Sequence, residues 1–493
     1  MRNQVQLIAY ADRLGGSLAG LERILRGPLD GLFGGVHILP FFDPYDGADA
    51  GFDPRDQRIV DPRLGDWDDV RRIADDFDVT VDAIVNHVSA DAPQFRDVLE
   101  RGDASPHAGM FLTLDRVFGG GATEADLLKI YRPRPGLPFT PVTAADRTRR
   151  LAWTTFTSSQ IDLDVSDPQA RQYLREVLEQ LAAAGTAMVR LDAVGYAVKE
   201  AGTSCFLTPG TIAFVAELTG WARELGLEVL VEVHAHYEHQ VKLAAAVDRV
   251  YDFALPPLIL HALHTGDAAP LGRWLEVRPR NAVTVLDTHD GIGVIDVGAD
   301  ASDPSLAGLL GAEQIDALVE AIHAASDGGS RLATGAVAAN VDLYQVNCTY
   351  YEALGRDDAR YLLARALQLF FPGIPQVYYV GLLAGFNDLE LLQRSGVGRD
   401  VNRHSYTEEE VAADLQRPVV AALCQLIRFR NAHPAFDGEL HRAQAADGTV
   451  ELGWRDGEHE ALLTADLAAA RATVAFTHEG ERRVAEDLAD LPG

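Results

Sequence analysis

Eight short apolar runs rich in β-branched residues punctuate this 493-residue chain, with longer, helically patterned segments between them. The runs are VQLIAYA (5–11), GGVHILPFF (34–42), VTVDAIVNHV (79–88), AMVRLDAV (187–194), LEVLVEVH (227–234), RVYDFALP (249–256), NAVTVLDTHD (281–290) and IPQVYYVG (374–381). Strands that alternate with helices lie parallel, because each helix carries the chain back to the same end of the sheet. Eight of them predict a closed (β/α)8 barrel in preference to an open doubly wound sheet. The helical segments carry their own punctuation. In SDPQARQYLREVLEQLAAAG, Ser166 or Asp167 caps the start and Pro168 fits the first turn. Leu174, Val177, Leu178 and Leu181 share one face, and Gly185 closes the helix.

A plain barrel needs about 250 residues, so insertions are expected. Residues 89–160, loop-rich and containing FGGGATE and YRPRPGLPFT, predict an inserted domain after the third strand. Residues 291–355 predict an excursion after the seventh. From 433 to 493 the pattern changes to short strands with turn signals, as in GTVELGWRDGEHEALLTADL, and predicts a small β domain. The barrel itself then takes 1–88, 161–290 and 356–432.

The net charge is −30. Affinity for nucleic acid or an anionic membrane rests on clustered Lys and Arg, so neither is an expected partner. Any anion site must be built from local cations against the global field. No 18 apolar residues run together, so no membrane span is expected. The stretch MRNQVQLIAYADRLGG holds only a seven-residue mixed apolar run before charge, which reads as no targeting segment and points to the cytoplasm. Cys205, Cys348 and Cys424 are odd in number, far apart and without a CxxC, and read as buried free thiols.

Barrel chemistry sits at the C-terminal ends of the strands. The third run ends in Asn86-His87, the fourth in Arg190-Leu191-Asp192, the fifth in Glu232-Val233-His234 and the seventh in Asp287-Thr288-His289-Asp290. Strand alternation puts Arg190 and Asp192 on one face, and likewise Glu232 and His234. Each residue alone has an ordinary reading as a helix cap or a structural ion pair. Four strand ends of this kind do not. Two chemistries compete. Metal-assisted hydrolysis would draw on Asp, Glu and His, but the histidines are spread over separate strand ends. Glycosidic cleavage uses two carboxylates about 5–5.5 Å apart in a retaining enzyme, which Asp192 and Glu232 on adjacent strands can supply. FGGGATE lacks the ending of a phosphate cradle and reads as a loop.

The motifs DAIVNH (82–87), QIDLD (160–164), RLDAV (190–194), VEVH (231–234) and DTHD (287–290) resemble, in order and spacing, those of the α-amylase superfamily of retaining α-glucoside enzymes. Over nearly its whole length the chain resembles the sucrose phosphorylase family within it. DGADAGFDP (46–54), IYRPRPGLPFT (130–140), RLDAVGYAVKEAGTSCF (190–206), VYDFALPP (250–257), VLDTHDGIGV (285–294), DLYQVNCTYY (342–351) and GRDVNRH (398–404) carry the likeness.

The resemblance implies a nucleophile at Asp192, a proton donor and acceptor at Glu232 and a transition-state stabiliser at Asp290. It implies that Arg190 keeps Asp192 ionised. Asp49, Phe52, His87, His289 and Arg399 would hold the glucosyl unit. Arg134, His234 and Tyr344 would meet phosphate, and Gln160, Tyr196 and Asp342 the acceptor. The implied partners are sucrose, inorganic phosphate, glucose 1-phosphate and fructose, in a homodimer, with no cofactor and no metal. Families acting on sucrose 6′-phosphate, glucosylglycerate or glucosylglycerol share the catalytic motifs, so the acceptor stays open. The rival readings are a hydrolase or transglucosidase on the same fold, or a catalytically silent binding barrel.

Overall fold

The computed structural model describes residues 1–492 apart from 45, 48, 134–135, 301–302, 304, 335–344 and 447. Each apolar run supplies one barrel strand: β1 (Gln6–Ala9), β2 (Gly35–Ile38), β3 (Asp78–Ile84), β4 (Met188–Asp192), β5 (Glu228–Val231), β6 (Arg249–Asp252), β7 (Ala282–Thr284) and β8 (Ile374–Tyr378). They close in sequence order, with β1 parallel to both β2 and β8. Leu7, Val36, Val79, Val81, Val189, Leu191, Val229, Val283 and Val377 are buried against the helices. Strands buried on both faces read as continuous apolar runs, which is why the pattern was visible.

The helix read at SDPQARQYLREVLEQLAAAG spans Pro168–Ala183, and Asp167 caps it by accepting from Gln169 N–H at 2.8 Å. Gly185 follows at φ 78°, a left-handed turn that glycine takes without strain.

Every strand ends before its run does, and at three of them this moves candidate residues off the strand. β3 stops at Ile84, β5 at Val231 and β7 at Thr284. The expectation that strand alternation sets Glu232 and His234 on one face therefore fails: both lie beyond the strand, as does the whole DTHD motif. Between β3 and β4 stand the helix Pro93–Arg101 and a hairpin of Phe139–Thr143 with Arg149–Trp153. The chain then returns as Gln160–Asp162, which pairs antiparallel with His87–Ser89. That pairing brings QIDLD to the mouth of β3. After β7 come a two-residue strand pair, Ile292–Gly293 with Gln345–Val346, and the helix Ala312–Ala325.

Beyond the barrel, β9 (Glu439–Ala446), β10 (Thr449–Asp456), β11 (His459–Asp466), β12 (Arg471–His478) and β13 (Glu481–Ala485) form an antiparallel meander. Trp454 docks it on the barrel, its Nε1 donating to Phe370 O at 2.8 Å. All three cysteines are buried and free. Among the described residues no helix is long and apolar enough to cross a membrane.

Candidate active site

Arg190 and Asp192 stand inside β4, where a charged pair costs several kcal/mol unless it is satisfied. The barrel interior satisfies it. The Arg190 Nη1 donates to Asp192 Oδ1 at 2.8 Å and also to Asp82 Oδ1 on β3. Asp82 Oδ2 lies 2.9 Å from His37 Nε2 on β2, and Tyr251 of β6 bonds onward to Gln376 at 3.1 Å. Gln376 Nε2 donates to Gln6 Oε1 at 2.8 Å. Apolar layers are the usual filling of a barrel. Here buried polar side chains from six strands run from its floor to Asp192.

Arg190, expected to keep Asp192 ionised, divides its contacts between Asp192 and Asp82. Burial pushes the Asp192 carboxyl well above the usual carboxylate range. Arg190 opposes that, while the charge of Glu232 adds to it. One guanidinium nitrogen divided between two acids offsets only part of the desolvation. Burial works against the charge of Asp82 as well, but Arg190 and His37 hold it below its ordinary value.

Glu232 follows the last residue of β5, and its N–H donates to Leu191 O at 3.2 Å. Leu191 and Val231 are register partners, so Asp192 and Glu232 emerge side by side at the rim. Directly after Asp192 the backbone turns left-handed at Ala193 (φ 53°), and the Ala193 N–H donates to Glu232 Oε2 at 3.1 Å. That bond ties the second carboxylate to the strand bearing the first.

Opposite them Arg399 closes the site, its Nη1 lying 2.6 Å from Asp290 Oδ1 and 3.8 Å from Asp49 Oδ1. Burial alone would raise Asp290; Arg399 above all holds it well below the carboxylate range. His289 stacks on Phe52, with ring centroids 4.6 Å apart and 9° between planes. Burial pushes the His289 imidazole down to about 3, so it stays neutral at working pH. His87 is likewise lowered by burial.

One cavity is lined by Asp49, Phe52, His87, Asp192, Tyr196, Glu232, His289, Asp290 and Arg399, together with Phe156 and Ala193. Gln160 sits behind this wall. Its Nε2 donates to Asp49 Oδ2 at 2.8 Å and lies 3.0 Å from His87 Nε2, so it holds two cavity residues and does not itself line the cavity. His234 is also set back, 3.8 Å from Glu232 Oε1. Arg134, Asp342 and Tyr344 fall outside the described residues.

Several residues of the site carried no signal of their own. Phe156 stands edge-on to both His87 and Tyr196, at 5.4 and 5.2 Å. It precedes QIDLD by four positions in a stretch without periodicity. Lys199 is buried, donates to Asn86 Oδ1 at 2.7 Å and pairs with Asp162. Arg403, within GRDVNRH, donates to His289 O at 2.9 Å. Among the described residues no group of three or more His, Cys, Asp or Glu is placed to hold a metal ion. Contrary to the expectation of histidines spread singly, His234-Ala235-His236 has one HxH spacing, whose second ring points elsewhere, with His236 Nε2 3.1 Å from Ala307 O.

A family model described as the α-amylase catalytic domain matches residues 31–205. A sucrose phosphorylase from Agrobacterium vitis is 56% identical over 475 residues, 96% of this chain and 97% of that protein. Another, from Bifidobacterium adolescentis, is 55% identical over 94% of this chain and 92% of its own length. The chain belongs to the sucrose phosphorylase family. It is therefore a glycosyltransferase of the α-amylase type. A crystal structure of sucrose 6F-phosphate phosphorylase from Thermoanaerobacter thermosaccharolyticum superposes with a TM-score of 0.90 at 38% identity, covering 99% of this chain and 98% of that one. The barrel and its C-terminal sheet thus agree with the fold the sequence predicts, and the likeness to this family extends over both.

Proposed function

We propose that the protein catalyses the reversible, retaining phosphorolysis of sucrose to α-D-glucose 1-phosphate and fructose. The observation that carries the reading is the paired rim of β4 and β5, where Asp192 and Glu232 are locked together through the Ala193 amide. In the first half-reaction an Asp192 oxygen attacks the anomeric carbon as the bond to fructose breaks, and Glu232 gives its proton to the departing oxygen. In the second a phosphate oxygen attacks the same carbon, Asp192 leaves, and Glu232 takes the proton back. Two inversions return the original configuration. Turnover needs the proton on Glu232 and a bare carboxylate at Asp192.

Asp290, held ionised by Arg399, faces the positive charge that grows on the sugar ring. Asp49, His87, His289 and Arg399 hold the glucosyl hydroxyls, and Phe52 meets the ring. Tyr196 and His234 shape the acceptor side, while Gln160, expected there, supports the glucosyl side through Asp49 and His87. Arg134, Asp342 and Tyr344 are assigned to it on the family likeness. The same reading places the protein in the cytoplasm as a homodimer, without nucleic acid or membrane partners.

Incubation with sucrose, with and without phosphate, tests it. Glucose 1-phosphate and fructose are expected when phosphate is present. Free glucose formed equally fast in both reactions would make the protein a hydrolase.

A further inference from the structure

Beside the sugar site lies a buried acid that the reaction scheme leaves unused. Asp296 sits in the single turn Ile295–Val297 and is fully buried. Its Oδ1 accepts from the Ala235 N–H at 3.2 Å and from Gln240 Nε2 at 2.9 Å, and its Oδ2 lies 2.9 Å from His234 Nδ1. The contact depends on glycine. A Cβ at Gly293 would stand 2.4 Å from Asp296 Oδ2 and 3.2 Å from His234 Nδ1. Phe253 stacks on the imidazole at 3.9 Å between centroids and fixes its plane.

With Nδ1 committed to Asp296, the other ring nitrogen is turned to the reaction. His234 Nε2 is 3.8 Å from Glu232 Oε1. That is too long for a hydrogen bond, yet an oxygen about 2.8 Å from each atom completes a triangle on this base. That apex is where the oxygen that Glu232 protonates or deprotonates would stand. Among the described residues three acids face the imidazole: Glu232 just beyond β5, Asp290 beyond β7, and Asp296. Tyr131 is a further titratable group in the field of Asp296. Burial alone would lower His234; the three carboxylates outweigh it and raise the imidazole above its ordinary value.

We propose that Asp296 is a positioning residue that fixes His234 as a doubly protonated donor over the acceptor oxygen, and so favours an inorganic phosphate oxyanion over water or a neutral alcohol. The inference rests on the phosphorolytic reading above. A charged donor bonds an oxyanion about twice as strongly as a neutral acceptor, so loss of the charge penalises phosphate selectively.

The test compares the unaltered protein, Asp296→Asn, His234→Asn and the double variant on sucrose, with and without phosphate, across the pH range in which histidine titrates. In Asp296→Asn the ratio of phosphorolysis to hydrolysis is expected to fall at least about tenfold at neutral pH, as loss of a charge-assisted hydrogen bond does. The alkaline limb of phosphorolysis should move to lower pH. The double variant should lose no more than His234→Asn alone, because one interaction is removed twice. An unchanged ratio and limb, equal loss of both activities with the limb unmoved, or additive losses would each overturn the proposal.

Should Asp296→Asn fail to fold, nitrogen-15 spectra of the imidazoles in the unaltered protein decide. Both His234 nitrogens protonated at neutral pH supports the proposal, and a neutral ring overturns it. An unaltered protein that releases glucose equally with and without phosphate would remove the phosphorolytic reading, while the spectra would still report the charge on His234.

Discussion

Asp192 and Arg190 announced themselves as charges in an apolar run, and that anomaly was legible because buried strands exclude unpaired charge. What shares the arginine was not legible. Asp82 lies 108 positions away, and only the closure of the barrel sets β3 against β4. The sequence therefore led to an ionised Asp192 supported by Arg190, where the structure shows one guanidinium divided between two acids. Asp192→Asn is expected to cut kcat by at least about four orders of magnitude, as loss of a nucleophile does, in a steady-state assay on sucrose. Arg190→Ala strands two buried acids and should lower unfolding stability by about 3–5 kcal/mol in denaturant titrations. His289 makes a pH prediction. Its unfolded value is near 6.5 and its folded value about 3. Between those limits the unfolded chain binds the extra proton, so stability falls as pH drops from about 6.5 towards 3. His289→Gln should flatten that slope, which melting curves at neutral pH and near pH 4.5 would show; an equally steep fall in the variant would contradict it.

At the scale of elements, the barrel strands were readable because both their faces are buried, and the helix at 168–183 because its cap and apolar face were spelled out. Strand ends were not readable. Whether a run such as LEVLVEVH stays paired to its last residue depends on β4 and β6, whose register partners lie 40 and 19 positions from Val231. The insertion's attachment was hidden for the same reason. Lys199 joins Asn86 at the end of β3 to Asp162 in the returning strand, and burial lowers its ammonium despite the Asp162 charge. Lys199→Met leaves Asp162 buried and unpaired and should cost about 3–5 kcal/mol by chemical denaturation. The segment after β8 meets another buried pair, Asp287 and Arg365, 2.8 Å apart. A Cβ on Gly381 would stand 2.0 Å from both of them, which explains a glycine here without appeal to backbone conformation.

Over the whole molecule the charge of −30 opposes the anion that the proposed reaction requires. The screening length falls from about 30 Å at 0.01 M salt to about 8 Å at physiological ionic strength, so added salt should weaken this repulsion while leaving buried pairs nearly intact. KM for phosphate is expected to fall as salt rises over that range, with KM for sucrose little changed. Parallel changes in both would contradict a long-range effect. The central claim is that one carboxylate, Asp192, carries the glucosyl group from sucrose to phosphate. Acid-quenched digestion during turnover on sucrose without phosphate, followed by mass spectrometry, tests it most directly. The account predicts one glucosyl residue on the peptide containing Asp192, discharged when phosphate is added before the quench. No adduct, or an adduct on Glu232, would contradict it.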